Sequence, residues 1–482
     1  MLPRLKSSDR ARRRTLSARL ACSLLCATAA CRSDSSAASD AAWSSAKSDA
    51  AWRVPLASAP TNDARPPQGV EGARLLDDTA ALVRWLVDHN AEVAAQNARV
   101  AQAAAAADQS KLYQDPSADF TWGGINVGEK NPSDLAWSDS QNYEFGLHET
   151  FEIGKRGPRI EGALLRLDSE RVRYVHVLGE KVHDARAALA REVYLHARIA
   201  ELEENLKAAQ EMLKLESTRL AHGDISGNDY DRLVLDTTLL ELEMPRTKAE
   251  LEAASADVRA ILGAPYVPGS AEMSALVGGA SLPPGQLDVE SALENRADHR
   301  AIALEVQATE KDVKLAEARR IPDPTVGIAY THDNLTAAGN QPDTMQVSVG
   351  INLPIFDRGQ HESRRAAEHA RELQSARLQS MRDAESDATS LLSRKAALEG
   401  VLKRIEEEAI PKSKQVLDVT SAAFDRGELK LTDVLLARRT HIDLALKHMD
   451  LQFESFSIRN DLRRVLGLDA ELARAVAGEP QS

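Results

Sequence analysis

The chain reads as mainly α with a small β part. Three observations predict this: very long stretches of helical composition, an internal duplication, and four short runs that alternate apolar and polar residues. Aromatic residues make up only 4% of the 482 residues, while the 43% apolar content leans on Ala, Leu and Val. That diet favours helices over several compact aromatic cores. The formal net charge is -13, with 60 Lys+Arg against 73 Asp+Glu. An acidic chain lacks the basic footprint of a nucleic-acid binder, so no nucleic-acid partner is expected. No apolar run reaches the roughly 18 residues that a membrane-spanning helix needs.

The N-terminus reads as an export signal. Residues 1–30 hold Arg4, Lys6, Arg10, Arg12, Arg13, Arg14 and Arg19 against a single acid, Asp9, followed by an apolar stretch from Leu20 to Ala30. A basic head, an apolar middle and small residues at the end define such a segment. Thr28-Ala29-Ala30-Cys31 resembles a bacterial lipobox, with Thr in place of the usual Leu. The resemblance makes 1–30 a lipoprotein signal peptide and Cys31 the acceptor of fatty acyl chains such as palmitate. Ordinary cleavage nearby, leaving an idle thiol, is the alternative. Residues 31–74, rich in Ala, Ser, Asp and Pro, then form the lipid anchor and flexible tether.

The body repeats one unit twice. Gly223 to Gly263 aligns without gaps onto Gly427 to Gly467 at an offset of 204. Ile153, Arg156 and Gly157 match Ile355, Arg358 and Gly359 at offset 202, and Asp115-Pro116 matches Asp323-Pro324 at offset 208. The first repeat is expected over 75–264, with a β-hairpin at 116–153 and a helix tip at 222–228. The second is expected over 288–468, with a hairpin at 324–355 and a tip at 426–432. Residues 265–287 form an inter-repeat loop and 469–482 a C-terminal tail. Within each repeat an ascending helix (76–113 or 288–320) leads to the hairpin. A very long helix (158–221 or 360–425) follows, and a return helix (228–262 or 432–466) closes the unit. Continuous helix from Gly157 to His222 would be about 100 Å long at about 1.5 Å per residue, a rod rather than a globular element. Pro411 should kink the second long helix.

The hairpins carry the sharpest signal. Ala118, Phe120 and Trp122 alternate with Ser117, Asp119 and Thr121. Tyr143, Phe145 and Leu147 alternate with Glu144 and His148, and this apolar row is interrupted by Glu149. The second repeat sets Val326, Ile328, Tyr330, Val347, Val349, Ile351 and Leu353 against Thr325, Thr331, Ser348 and Asn352. Period-two alternation in four runs fits transmembrane strands with one lipid face and one watery face. It equally fits a small soluble sheet packed on a helix. If the strands span a bilayer, four cannot close a barrel, and open edges in hydrocarbon are costly. Three copies would supply the 12 strands that close one. Phe120, Trp122, Tyr143, Phe145, Val347 and Val349 are then the expected lipid-facing residues.

Four motifs resemble the TolC-like outer membrane efflux family, the outer membrane factors of tripartite pumps. Glu152-Ile153-Gly154-Lys155-Arg156-Gly157 resembles the first hairpin exit of that family, and Leu353-Pro354-Ile355-Phe356-Asp357-Arg358-Gly359 the second. Gly223-Asp224-Ile225-Ser226 and Phe424-Asp425-Arg426-Gly427-Glu428-Leu429 resemble its two periplasmic tips. The resemblance spans about 75–468, and the second exit is most similar to the heavy-metal (cobalt–zinc–cadmium) branch. It implies duplicated long helical hairpins that form a trimeric α-barrel, capped by a 12-stranded transmembrane β-barrel with four strands per chain. It also implies a homotrimer in outer membrane lipid whose periplasmic tunnel meets an adaptor protein and, through it, an inner-membrane transporter. The function implied is passive conduction of metal cations or small organic toxicants from periplasm to exterior.

At the tips, Gly223 and Gly427 suit chain reversal, and Thr432 suits a helix cap. The resemblance makes Phe424 and Leu429 adaptor contacts. It places Asp433, six residues past Gly427, in an acidic gate ring, while Leu436 stands where a second acid is expected. Asp433 and Asp229 also sit in first helical turns, where an acid suits the helix dipole without any gate role. His176/His183 and His441/His448 are seven residues apart, without ligand spacing, so no metal site is expected. No cofactor, phosphate-cradling loop or nucleophile elbow is expected, and catalysis is not. The competing class is a structural periplasmic lipoprotein, a coiled-coil rod without channel activity.

Overall fold

The computed structural model describes residues 72–476, apart from 125–126, 130–132, 135, 268–272, 274–275, 277–279, 284–287 and 336–340. Cys31, the signal segment and nearly all of the tether lie outside the described residues. The helices of the first repeat are α1 Gly72–Asp77, α2 Thr79–His89, α3 Ala91–Ser110, α4 Arg156–His222 and α5 Gly227–Leu262. Strands β1 Ser117–Gly123 and β2 Asn142–Thr150 lie between α3 and α4. The second repeat has α6 Val289–Glu294, α7 Ala297–Ala318, β3 Pro324–Asp333, β4 Asp343–Ile351, α8 Gln360–Arg404, α9 Ile410–Asp425 and α10 Leu431–Val465. A final helix, α11, covers Leu468–Val476.

α4 has 67 residues, so it runs about 100 Å. It packs against α3, α5, α7, α10 and α11, and α7 lies between α4 and α8. The core follows α4: Leu178, Val182, Leu189 and Leu195 are buried, as are Leu82, Val83 and Leu86, and Leu202 clusters with Ile199 and Met244.

The ascending helices are not continuous as expected. Asp78 caps α2 by accepting from the N–H groups of Ala80 and Ala81, and Asn90 caps α3 by accepting from Glu92 and Val93. The break has a purpose at the far end of the repeat. Asn90 Nδ2 and Trp85 Nε1 donate to the carbonyls of Ile261 and Leu262, the last of α5, at 2.7 and 3.1 Å. Those carbonyls have no partner within their own helix. The second ascending helix breaks at Asn295–Arg296, and there Arg296 donates to the carbonyl of Val465 at 2.8 Å. Val465 is the offset-204 counterpart of Ile261, so the two repeats close their return helices in the same way.

Two further expectations are corrected. The chain from Gly72 onward is helix rather than tether, because Leu75 and Leu76 are buried. The stretch after 468 is not a free tail. Asp469 of α11 makes a bidentate pair with Arg186 of α4 at 3.0–3.2 Å, both fully buried, and Asn460 and Thr79 also accept from the guanidinium. Pro411 is met by a π-helical segment, Ile405–Ala409, in which the Ile410 N–H bonds to the Ile405 carbonyl. The wider turn takes up the proline's missing donor.

The four strands form one antiparallel sheet in the order β1-β2-β3-β4. Phe120 pairs with Phe145, Phe145 with Tyr330, and Tyr330 with Met345. Directly paired residues share a face. One face therefore carries Ala118, Phe120, Trp122, Tyr143, Phe145, Leu147, Val326, Ile328, Tyr330, Met345, Val347, Val349 and Ile351, with Glu149, His332 and Asp343 toward its margins. The other carries Asp119, Thr121, Glu144, His148, Thr150, Thr325, Thr331, Thr344, Gln346 and Ser348. β2 pairs with β3 across the repeat boundary, and β1 and β4 are the two edges.

Candidate functional site

The apolar face of the sheet is left largely uncovered by the described residues. Phe120 is 65% exposed, Phe145 58% and Val347 72%, and Trp122, Tyr330, Met345 and Val349 are exposed as well. A contiguous patch of this kind on a folded chain marks a membrane or protein contact. Its dimensions suit a bilayer. The ten residues of β3 extend about 34 Å, and a strand tilted by about 40° covers about 25 Å of thickness, the height of an outer membrane barrel's apolar band. At one end Trp122 and Trp137 meet edge-to-face with centroids 6.0 Å apart, beside Tyr143, where such barrels carry an aromatic girdle.

The polar face is built around two glycines. A Cβ on Gly146 would lie 2.4 Å from an Asp119 carboxylate oxygen, and one on Gly327 would lie 2.3 Å from His148 Nδ1 and 2.6 Å from Ser348 Oγ. The glycines let Asp119 and His148 lie flat on the sheet, where His148 Nε2 meets Asp119 Oδ1 at 2.8 Å. No sequence signal marked this pair beyond its place on the polar face.

The junction between sheet and helices was also missed as a set. Asp323 accepts from the Ile153 N–H at 3.0 Å and from Lys155 Nζ at 2.5 Å. Arg159 donates to the carbonyls of Ser110 and Leu112, both at 3.1 Å, which closes the end of α3. Arg156 lies over the Tyr113 ring at 4.4 Å. The Asp-Pro and Lys-Arg-Gly motifs thus tie helices to strands.

At the tips, Gly223 and Gly427 adopt left-handed φ values of 81° and 76°. The Asp224 N–H returns to the Arg219 carbonyl and the Glu428 N–H to the Ala423 carbonyl, both at 2.9 Å, so each reversal ends its helix with a backbone lock. Ser226 caps α5 by accepting from the Asp229 N–H and donates to the Asp229 carboxylate at 2.8 Å. α10 starts one residue earlier than expected: Lys430, not Thr432, is the cap residue. The Asp433 carboxylate accepts from the Lys430 N–H at 3.2 Å. Asp433 is exposed on an open groove between α9 and α10, with Val416, Leu429 and Leu436. Phe424 lies beneath the Arg219 guanidinium at 4.9 Å and beside a cluster of Leu233, Leu431 and Leu435, so much of its surface joins the two tips of one chain. Leu429 remains 40% exposed.

Among the described residues no cluster of three or more His, Cys, Asp or Glu side chains could hold a metal ion. No described helix is long and apolar enough to cross a membrane.

The described residues thus form long duplicated helical hairpins that carry one two-faced, open-edged sheet. Residues 289–468, essentially the second repeat, match the family model for outer membrane efflux protein. The whole chain is similar in fold to CusC, whose structures concern folding and transmembrane channel formation, with a TM-score of 0.68 at 16% identity over 83% of this chain and 93% of that one. It is also similar to the outer membrane protein VceC of Vibrio cholerae (TM-score 0.65, 18% identity, 83% and 99% covered). A third similar structure is the CmeC outer membrane channel of Campylobacter jejuni (TM-score 0.67, 14% identity, 88% and 95% covered). No curated protein sequence matches the chain. The second repeat thus matches the outer membrane efflux protein family model, and the chain shares the fold of these channels.

Proposed function

We propose that the chain is the outer membrane channel component of a tripartite efflux pump, conducting metal cations or small organic toxicants passively from periplasm to exterior. The observation that carries this reading is the four-stranded sheet with one largely apolar, exposed face, one polar face and two unpaired edges, set on helices of about 100 Å. Open edges cannot stand in hydrocarbon, so copies must join edge to edge. Three copies give a 12-stranded homotrimer around a polar lumen. The tips, with Leu429 exposed and Phe424 partly so, are the surface for a periplasmic adaptor that links to an inner-membrane transporter. Three Asp433 carboxylates brought together at the tunnel mouth would attract cations and act as a gate. Cys31 would carry the lipid that anchors the chain. Energy for export would come from the transporter, since the channel itself has no catalytic task.

Deletion of the gene tests the function. A strain lacking this chain should accumulate the exported compound and regain tolerance when the chain is restored. Screening divalent metals beside cationic dyes separates the two substrate classes. Unchanged tolerance and accumulation across both panels would overturn the efflux reading.

A further inference from the structure

The internal duplication fixes more than the fold of one chain, because contacts between the repeats are also visible inside it. Two offsets relate the strands: 208 from β1 to β3 and 202 from β2 to β4. The sheet confirms them independently. The pair Phe120–Phe145 maps onto Ile328–Val347, and Ala118–Leu147 maps onto Val326–Val349; both mapped pairs are present in the β3–β4 register. The two hairpins therefore share one register, residue for residue.

β2–β3 is the one strand pairing that crosses from the first repeat to the second. In a closed ring the same relation must recur from the second repeat of one copy to the first repeat of the next, that is, from β4 to the neighbour's β1. We infer that the edges join in the register obtained by carrying β2–β3 through the two offsets. Phe145–Tyr330 becomes Val347 with Trp122 of the next copy, Leu147–Ile328 becomes Val349 with Phe120, and Gly146–Ala329 becomes Ser348 with Thr121. This rests on the channel reading and deepens it by stating how the ring closes.

Two observations agree with the register, and neither was used to obtain it. It sets Val347 against Trp122, Val349 against Phe120 and Ile351 against Ala118 on one face, and Ser348 against Thr121 and Asn352 against Ser117 on the other, whereas a slip of one residue would set Val347 against Thr121 or Gly123. The register also finds a place for Phe356, which is 93% exposed. Its counterpart in the first repeat is Gly154, whose Cβ would point at Ile321 Cδ1 at 4.0 Å. The counterpart of Ile321 is Tyr113. Phe356 of one copy thus falls against Tyr113 of the next, a ring that is 53% exposed and already carries Arg156 on one side. The equivalence stops at the ion pair below. Asp357 stands where Lys155 stands and Asp115 where Asp323 stands, so between copies the Lys155–Asp323 ion pair is replaced by two carboxylates and is not reproduced.

Cysteine pairs test the register in the full-length protein within its membrane. The only native cysteines are Cys22, Cys26 and Cys31, outside the folded body. Thr121→Cys with Ser348→Cys should give covalent dimers and trimers on mild oxidation. The same-face slips, Thr121→Cys with Gln346→Cys and Thr121→Cys with Gly350→Cys, should cross-link at least fivefold less. Preferential cross-linking of a slipped pair in particles that are still trimeric and conducting would overturn the register while leaving the channel intact. Particles that are not trimeric even without substitutions would overturn both. Phe356→Ser should lower the temperature at which the trimer dissociates in SDS, and an unchanged temperature would remove the Phe356–Tyr113 contact.

Discussion

Replacing Phe145 with Arg puts the assignment of the sheet's faces to a quantitative test. Phe145 lies near the middle of β2, 58% exposed, between Phe120 and Tyr330 on the apolar face. If that face meets lipid, an arginine at mid-bilayer costs about 2–4 kcal/mol per chain. In a trimer the three copies together cost about 6–12 kcal/mol, comparable to the whole stability of an ordinary domain. The adjacent Glu144 points to the polar face beside Thr121 and Thr331. Glu144→Arg should therefore assemble normally, though it makes the same new charge one residue away. The assay is the fraction of unheated, membrane-extracted protein that migrates as an SDS-resistant trimer. Phe145→Arg should lose most of that species and Glu144→Arg should keep it. Equal yields from the two variants would refute the claim that one face is lipid and the other water.

Other predictions concern the tip and the helical body. Asp433→Ala should reduce the cation preference of the pore in bilayer recordings, and an unchanged reversal potential would remove the gate role. Asp469→Ala would leave the buried Arg186 guanidinium without its charged partner, at a cost of about 3–5 kcal/mol. A drop in melting temperature, with α11 open to proteolysis, would show this; an unshifted melt would mean that the pair does not hold α11. Burial disfavours charge on His183, but its hydrogen bonds to Asp184 and Asp461 outweigh that and raise its pKa from 6.5 to about 9. A raised folded-state pKa stabilises fully below about 6.5, and the benefit disappears as the pH climbs through 9. Urea denaturation should therefore show a loss of stability between pH 6.5 and 9 that His183→Gln flattens. A variant with the same slope would remove His183 as its cause.

Much of the fold was legible because it is periodic. Since a period of two admits only one division, the alternation in the strands put Phe120, Trp122, Tyr143, Phe145, Val347 and Val349 on one face, as the register does, though it did not single out Met345. The duplication was legible because matched glycines sit where backbone geometry requires them, Gly223 and Gly427 at the tips. Features that depend on partners distant in sequence were not legible. The break at Asn90 lies within an Ala-rich helical run, and its reason, the orphan carbonyl of Ile261, is 171 residues away. α11 looked like a tail because its anchor, Arg186, lies 283 residues earlier. Phe424 shows the same limit from another side. Its motif suggested a surface for a partner, while the structure turns part of the ring toward Leu233, Leu431 and Leu435 of its own chain. The His148–Asp119 pair needed the register before the two residues could be placed beside each other.

The most direct test of the channel is the mass of the detergent-extracted particle, taken together with its single-channel conductance. A particle of three chains that carries a steady ionic current is the expected result. A monomer or dimer that does not conduct would contradict it and leave a helical rod with an unexplained apolar sheet.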